Sequence, residues 1–155
     1  MGVSGCGKTT LGEAVSKMFD YKFLEGDNFH TDSNKKKMKN GIPLSDQDRI
    51  PWLKGINLAL RNKLSDRIIL SCSALKNSYR ELINDQLPAN SILWVHLNGK
   101  KSIIRNRIKN RTHFMPASLL ESQFEDLEIP KEAISIDISL TIDEMIKKLK
   151  PYLNE

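Results

Sequence analysis

Gly2-Val3-Ser4-Gly5-Cys6-Gly7-Lys8-Thr9 satisfies the pattern G-x-x-x-x-G-K-[ST] at every constrained position. Its glycines let successive backbone N–H groups turn inward around phosphate oxygens. Leu11, Ala14, Val15 and Met18 then recur at helical spacing and predict a helix over Thr9–Phe19. The positive end of that helix points at the loop and favours anions there. In such a loop the lysine, Lys8, reaches the β- and γ-phosphates, and the Thr9 hydroxyl ligates the Mg²⁺ that bridges them. The expectation is an ATP site built from Gly2, Val3, Ser4, Gly5, Cys6, Gly7, Lys8, Thr9 and Thr10, with Thr9 as metal ligand.

A loop of this kind ordinarily follows a buried central strand, and only Met1 precedes Gly2. The expected sheet therefore lacks its first strand, through truncation, and leaves the neighbouring strands unpaired on facing edges. Helix and strand signals alternate along the rest of the chain, which predicts an α/β fold with three layers (α/β/α) and a mostly parallel sheet. Strands are expected at 21–24, 67–73, 91–97 and 134–138, those at 67–73 and 91–97 buried on both faces. Helices are expected at about 32–40, 45–64 (with Pro51 near its start or kinking it), 76–84, 101–110, 117–127 and 141–153.

The 155 residues form one domain, spanning 1–155, with no linker and no repeat. No apolar run is long enough for a membrane span, and the N-terminus does not read as a signal peptide. The 24 Lys and Arg against 19 Asp and Glu give a net charge of +5, which favours anionic partners. Lys35, Lys36, Lys37 and Lys39 read as a solvated helix face, and without interleaved aromatics they do not point to nucleic acid. The two cysteines, Cys6 and Cys72, have no metal-ligand spacing and suit a reducing cytoplasm. Cys6, in a loop that opens a helix, is a candidate for oxidation.

Neither a D-x-x-G switch nor an N-K-x-D guanine motif is present. The short chain and its late Arg-rich segment suggest a small kinase with a helical lid at about 107–118, where Arg107, Arg111 and His113 face the transferred phosphoryl group. Acceptor recognition then falls to the strand ends across the cleft. Asp27 is a candidate base, Arg49 a candidate for a bidentate carboxylate contact, and Lys76 and Arg80, one helical turn apart, for a shared anion. Taken alone, Asp27 reads equally as a turn or cap residue, Arg49 more readily as a surface ion pair, and Lys76 and Arg80 more readily as structural cations. A kinase, a nucleotide-binding protein without transfer activity and, distantly, a nucleic-acid binder all stay open on these residues.

Further strings narrow the choice: Gly26-Asp27-Asn28-Phe29-His30, Lys37-Met38 with Gly41-Ile42-Pro43-Leu44, and Asp46-Gln47-Asp48-Arg49-Ile50-Pro51-Trp52-Leu53. Cys72-Ser73-Ala74-Leu75-Lys76 with Tyr79-Arg80, His113-Phe114-Met115-Pro116, and Ser122-Gln123-Phe124-Glu125 continue the series. Through nearly its whole length the chain resembles the gluconokinases, of the shikimate-kinase-like P-loop group. The resemblance implies phosphorylation of D-gluconate to 6-phospho-D-gluconate with ATP and Mg²⁺. It implies Lys8, Asp27, Arg107 and Arg111 as catalytic residues, and Asp27, His30, Arg49, Lys76, Arg80, His113 and Gln123 as the substrate side. It further implies a cytoplasmic enzyme, often a homodimer, acting on a small molecule and not on nucleic acid or a membrane. Another small sugar acid, or a shikimate-like acceptor, is the alternative substrate. The family lid usually reads R-x-G-H-F; Arg111-Thr112-His113-Phe114 lacks the glycine and is one residue shorter.

Overall fold

A computed structural model describes residues 1–109 and 117–153. In chain order these form α1 (Lys8–Phe19), β1 (Lys22–Glu25), a 3-10 turn (Gly26–Phe29), α2 (Asp32–Lys39), α3 (Asp46–Arg61), β2 (Ile68–Ser71) and α4 (Asn77–Asn84). After them come β3 (Val95–Asn98), α5 (Lys101–Lys109), α6 (Ala117–Asp126), β4 (Ile134–Asp137), α7 (Ile142–Leu149) and a final 3-10 turn (Lys150–Tyr152). No described helix is long and apolar enough to cross a membrane.

Among the described residues all strand pairing is parallel, as expected where each strand is followed by a helix. β1 pairs with β2, with Lys22 opposite Ile68, and β3 pairs with β4, with Val95 opposite Ile134. β2 and β3 share no ladder, so the strands form two pairs. Met1 bridges them: its amino group donates to the Val95 carbonyl, its carbonyl accepts from Leu97 N–H at 3.0 Å, and Gly2 N–H donates to Ser73 at 3.2 Å. Burial lowers the pKa of that amino group to about 6, with Lys8 nearby adding to the effect. Between the pairs lies a cavity of about 410 Å³, lined by Met1, β2 and residues 91–95 among others.

This gap corrects two expectations. Residues 91–94 are extended in composition but join no strand, and Ile68, Ile69 and Leu70 are only half-buried. A strand needs a hydrogen-bonding neighbour, and Ile92 and Leu93 have none in the sheet.

The core lies on both sides of the strands. Val3, Leu11, Val15, Leu97, Ile104 and Ile136 pack with α7 on one side. Trp52, Leu53, Ile56, Tyr79 and Ile83 pack under α3 and α4 on the other, with Cys72. Helix α3 begins with a capping box in which Ser45 and Asp48 satisfy each other's backbone N–H groups. Pro51 sits in its second turn, and the helix runs on through it. Trp52 Nε1 donates to the Gly26 carbonyl at 2.7 Å, which ties α3 to the turn after β1. Gly26 is fixed by space: a Cβ there would lie 2.5 Å from the Ser71 carbonyl oxygen.

Candidate active site

Parallel strands end on the same side, so their following loops converge. The phosphate loop is followed by α1, with Gly5 and Gly7 at φ 81° and 103°. Gly7 precedes the first helical residue, and among the described residues no side chain caps that end, which leaves the N-terminal amides of α1 open to a ligand. The loop packs closely on α5 at Gly5, where a Cβ would lie 2.7 Å from Ile108, so only glycine allows that approach. Lys8 Nζ bridges the Gly2 and Val3 carbonyls, 3.0 Å from each. Arg107, at the end of α5, donates to Ile138 O at 2.7 Å and to Cys6 O at 3.4 Å, and so lies beside the loop.

Cys6 is 1% exposed, packed in the core. That burial removes the accessibility on which the oxidation reading depends.

Thr9 extends toward the strand ends. Its hydroxyl donates to Glu25 Oε2 at 2.7 Å and lies 3.5 Å from Ser71 Oγ. A threonine hydroxyl, a carboxylate and a serine hydroxyl are the hard oxygen donors that Mg²⁺ prefers, so this set fits the metal carried by ATP. Glu25 was not singled out by sequence reading. Its place at the last position of β1, opposite Ser71, is a register fact that only pairing reveals.

A second cavity, of about 490 Å³, joins the loop to the acceptor side. Ser4, Lys8, Asp27, His30, Arg49 and Gln123 all line it. Asp27 sits in the 3-10 turn with its side chain 78% exposed, 3.9 Å from His30 Nε2. His30 is buried and stacks on Trp52, ring centroids 4.2 Å apart. Desolvation, then the charges of Arg49 and Lys35, lower its pKa to about 4, so it is neutral at physiological pH. Asn34 Nδ2 lies 3.4 Å from His30 Nδ1 and donates to Asp48 O at 2.7 Å. With Nδ1 as acceptor, that network assigns the proton to Nε2, on the side of Asp27.

Arg49 projects from the second turn of α3. Its Nη1 donates to Tyr79 Oη at 2.7 Å and pairs with Asp126 at 3.4 Å and Asp46 at 3.5 Å. Lys76 pairs with Asp46 at 3.0 Å and Asp126 at 3.3 Å. The hydrogen bond to Asp46 is the main reason its pKa is raised. The Tyr79 hydroxyl also donates to Asp46, and chiefly this bond holds the Asp46 carboxyl below its usual range.

Lys76 and Arg80 do not share an anion. Lys76 is the residue before α4, with extended backbone, so the one-turn spacing does not put the two on one helical face. Arg80 is 6% exposed and donates inward to the Ala74 and Leu75 carbonyls at 2.9 and 3.0 Å. Arg80 therefore lies off the pocket, a correction to its expected substrate contact. Gln123, on α6, accepts the Ser4 N–H at 2.6 Å. Arg111 and His113 lie outside the described residues, as does most of the expected lid.

The shikimate kinase family model matches residues 4–134. The chain is similar to a gluconokinase of Gluconobacter oxydans (strain 621H), 46% identical over 134 residues that cover 84% of this chain and 74% of that protein. It is similar to the thermosensitive gluconokinase of Escherichia coli (strain K12), 40% identical over 157 residues covering 97% of this chain and 83% of that one. A crystal structure of a gluconokinase from Sinorhizobium meliloti 1021 superimposes with a TM-score of 0.86 at 41% identity, covering 96% of this chain and 85% of that one.

Proposed function

The chain belongs to the gluconokinases within the shikimate kinase family, and from that premise we propose that it transfers the γ-phosphoryl group of ATP to the 6-hydroxyl of D-gluconate. The products are ADP and 6-phospho-D-gluconate. The single observation that carries this reading is the 490 Å³ cavity, which puts the phosphate loop (Ser4, Lys8) and a set of acceptor-side groups (Asp27, His30, Arg49) on one wall-to-wall space.

The loop amides and Lys8 hold the β- and γ-phosphates. Lys8 exchanges its present carbonyl partners for phosphate oxygens, a stronger pairing because both groups are charged. Thr9, with Glu25 and Ser71 behind it, would hold the Mg²⁺, which would supply neutralising charge to the phosphates. Asp27, exposed at the cavity, orients the acceptor hydroxyl and takes its proton as the P–O bond forms. Neutral His30 donates from Nε2 to a hydroxyl oxygen of the sugar acid. Arg49 and Lys76 receive the carboxylate. Arg107 stays beside the loop and steadies charge on the transferred group. Arg111 and His113 keep their proposed places at the lid on the strength of sequence alone. The reading assigns the reaction to the cytoplasm, where ATP and small sugar acids meet.

ADP release from Mg-ATP, followed across a panel of sugar acids, tests the reading. A clear preference for D-gluconate is expected. Preference for another acid would replace the substrate, and tight ATP binding without acceptor-dependent ADP would replace the activity.

A further inference from the structure

The two cations assigned to the acceptor carboxylate already hold carboxylates of this chain. Asp126 lies 3.4 Å from Arg49 and 3.3 Å from Lys76, and Asp46 takes the same pair from another side at 3.5 and 3.0 Å. Two cations and two carboxylates leave the cluster neutral. An incoming carboxylate gains little from Arg49 unless one resident leaves.

The two residents are not equivalent. Asp46 sits in the first turn of α3, the same helix as Arg49, and also accepts the Tyr79 hydroxyl. Asp126 is the last residue of α6, and among the described residues its ion pairs with Arg49 and Lys76 are what hold it. Asp126 is thus the one that can go.

The same helix reaches the phosphate loop. Gln123 lies one turn before Asp126, on the same face, and its side-chain oxygen takes the Ser4 N–H at 2.6 Å. That amide belongs to the loop that cradles phosphate. Helix α6 therefore covers both halves of the site with its own oxygens, an amide oxygen on the phosphate side and a carboxylate on the acceptor side. Its other anchors lie elsewhere. Glu121 binds Lys101 at 3.0 Å and also Arg105, on α5. Just past α6, Glu128 N–H donates to Leu75 O at 2.9 Å and its carboxylate accepts Asn77 N–H at 2.6 Å. The helix can release both ligand-side contacts without leaving the fold.

We propose that Asp126 is a displaceable stand-in for the acceptor carboxylate, and that its exchange for substrate frees α6 to withdraw Gln123 from Ser4, so that acceptor binding opens the phosphate loop. Asp126 and Gln123 are positioning residues. The identity of the acceptor rests on the proposed function; the link through α6 does not. Coupling of this kind is reciprocal, so ATP and acceptor each favour the other's binding.

Asp126→Asn removes the charge and keeps the shape. In ADP-release kinetics its KM for D-gluconate should fall about three- to fivefold, the yield of one half-buried ion pair at the surface, with the change in kcat/KM carried by KM. The inhibition constant of D-glucitol, which has a hydroxyl in place of the carboxylate, should not follow, and Asp126→Glu should restore the wild-type KM. By calorimetry without acceptor, ATP should bind about threefold tighter to both Asp126→Asn and Gln123→Ala. A raised KM for D-gluconate, or equal shifts for gluconate and glucitol, would overturn the exchange, because an aspartate that merely braces Arg49 behaves so. Unchanged or weaker ATP binding in both variants would overturn the coupling. Wild-type protein that releases no ADP with D-gluconate defeats the proposed function instead, and the acceptor-free ATP titrations then decide the α6 link by themselves.

Discussion

The Thr9 hydroxyl donates to the Glu25 carboxylate across 2.7 Å, joining the start of α1 to the end of β1. This contact turns a lone threonine into part of an oxygen-donor set. Glu25→Ala is expected to raise the Mg²⁺ concentration for half-maximal ADP release by about tenfold, in the range seen when groups that support metal ligands are removed. An unaltered Mg²⁺ titration would reduce Glu25 to its other contact, the 3.4 Å bond from Asp27 N–H.

Asp27→Asn keeps the turn and removes the base. Turnover should fall by about 10²–10⁴-fold while ATP affinity stays within a small factor. Steady-state kinetics with a parallel ATP titration checks this, and near-normal turnover would retire Asp27 as the base.

His30 gives a pH signature in stability. Its pKa is lowered from 6.5 to about 4 on folding, so between these values the unfolded chain binds the proton and the native one does not. Stability should be fully present above pH 6.5 and decline as the pH falls toward 4, by up to about 3 kcal/mol for this group. Denaturant melts of wild type and His30→Gln across that window measure it. The variant should lack this component of the decline.

Arg80 and Arg49 should separate stability from binding. Arg80→Leu leaves the Ala74 and Leu75 carbonyls without their charged donor, and Ala74 has φ 43°, a conformation that needs support. A loss of about 2–4 kcal/mol is expected, read from denaturant melts. Arg49→Ala should instead raise KM for D-gluconate by about tenfold or more, with a smaller effect on stability. The reverse pattern would return Arg80 to the substrate side.

Much of this was legible in the chain. The phosphate loop is a local string, and the helix after it declares itself by the spacing of Leu11 and Val15. The alternation of elements gave the parallel α/β class. What was not legible depends on distant partners. Ile92 and Leu93 have the composition of a buried strand, but pairing decides whether they are one. Lys76 and Arg80 have helical spacing, but Lys76 stands before the helix rather than in it. Nothing in the local sequence marks Glu25 or Asp126 as part of the site. Their significance comes from Thr9 and Arg49, which lie 16 and 77 positions away in sequence.

The central claim, phosphoryl transfer to the 6-hydroxyl of D-gluconate, is tested most directly by ³¹P NMR of the product formed from Mg-ATP and D-gluconate. The account predicts ADP and a single phosphate monoester resonance coupled to the two C6 protons, absent when Lys8 is replaced by Ala. Formation of ADP with inorganic phosphate alone, or of an ester at another carbon, would contradict it.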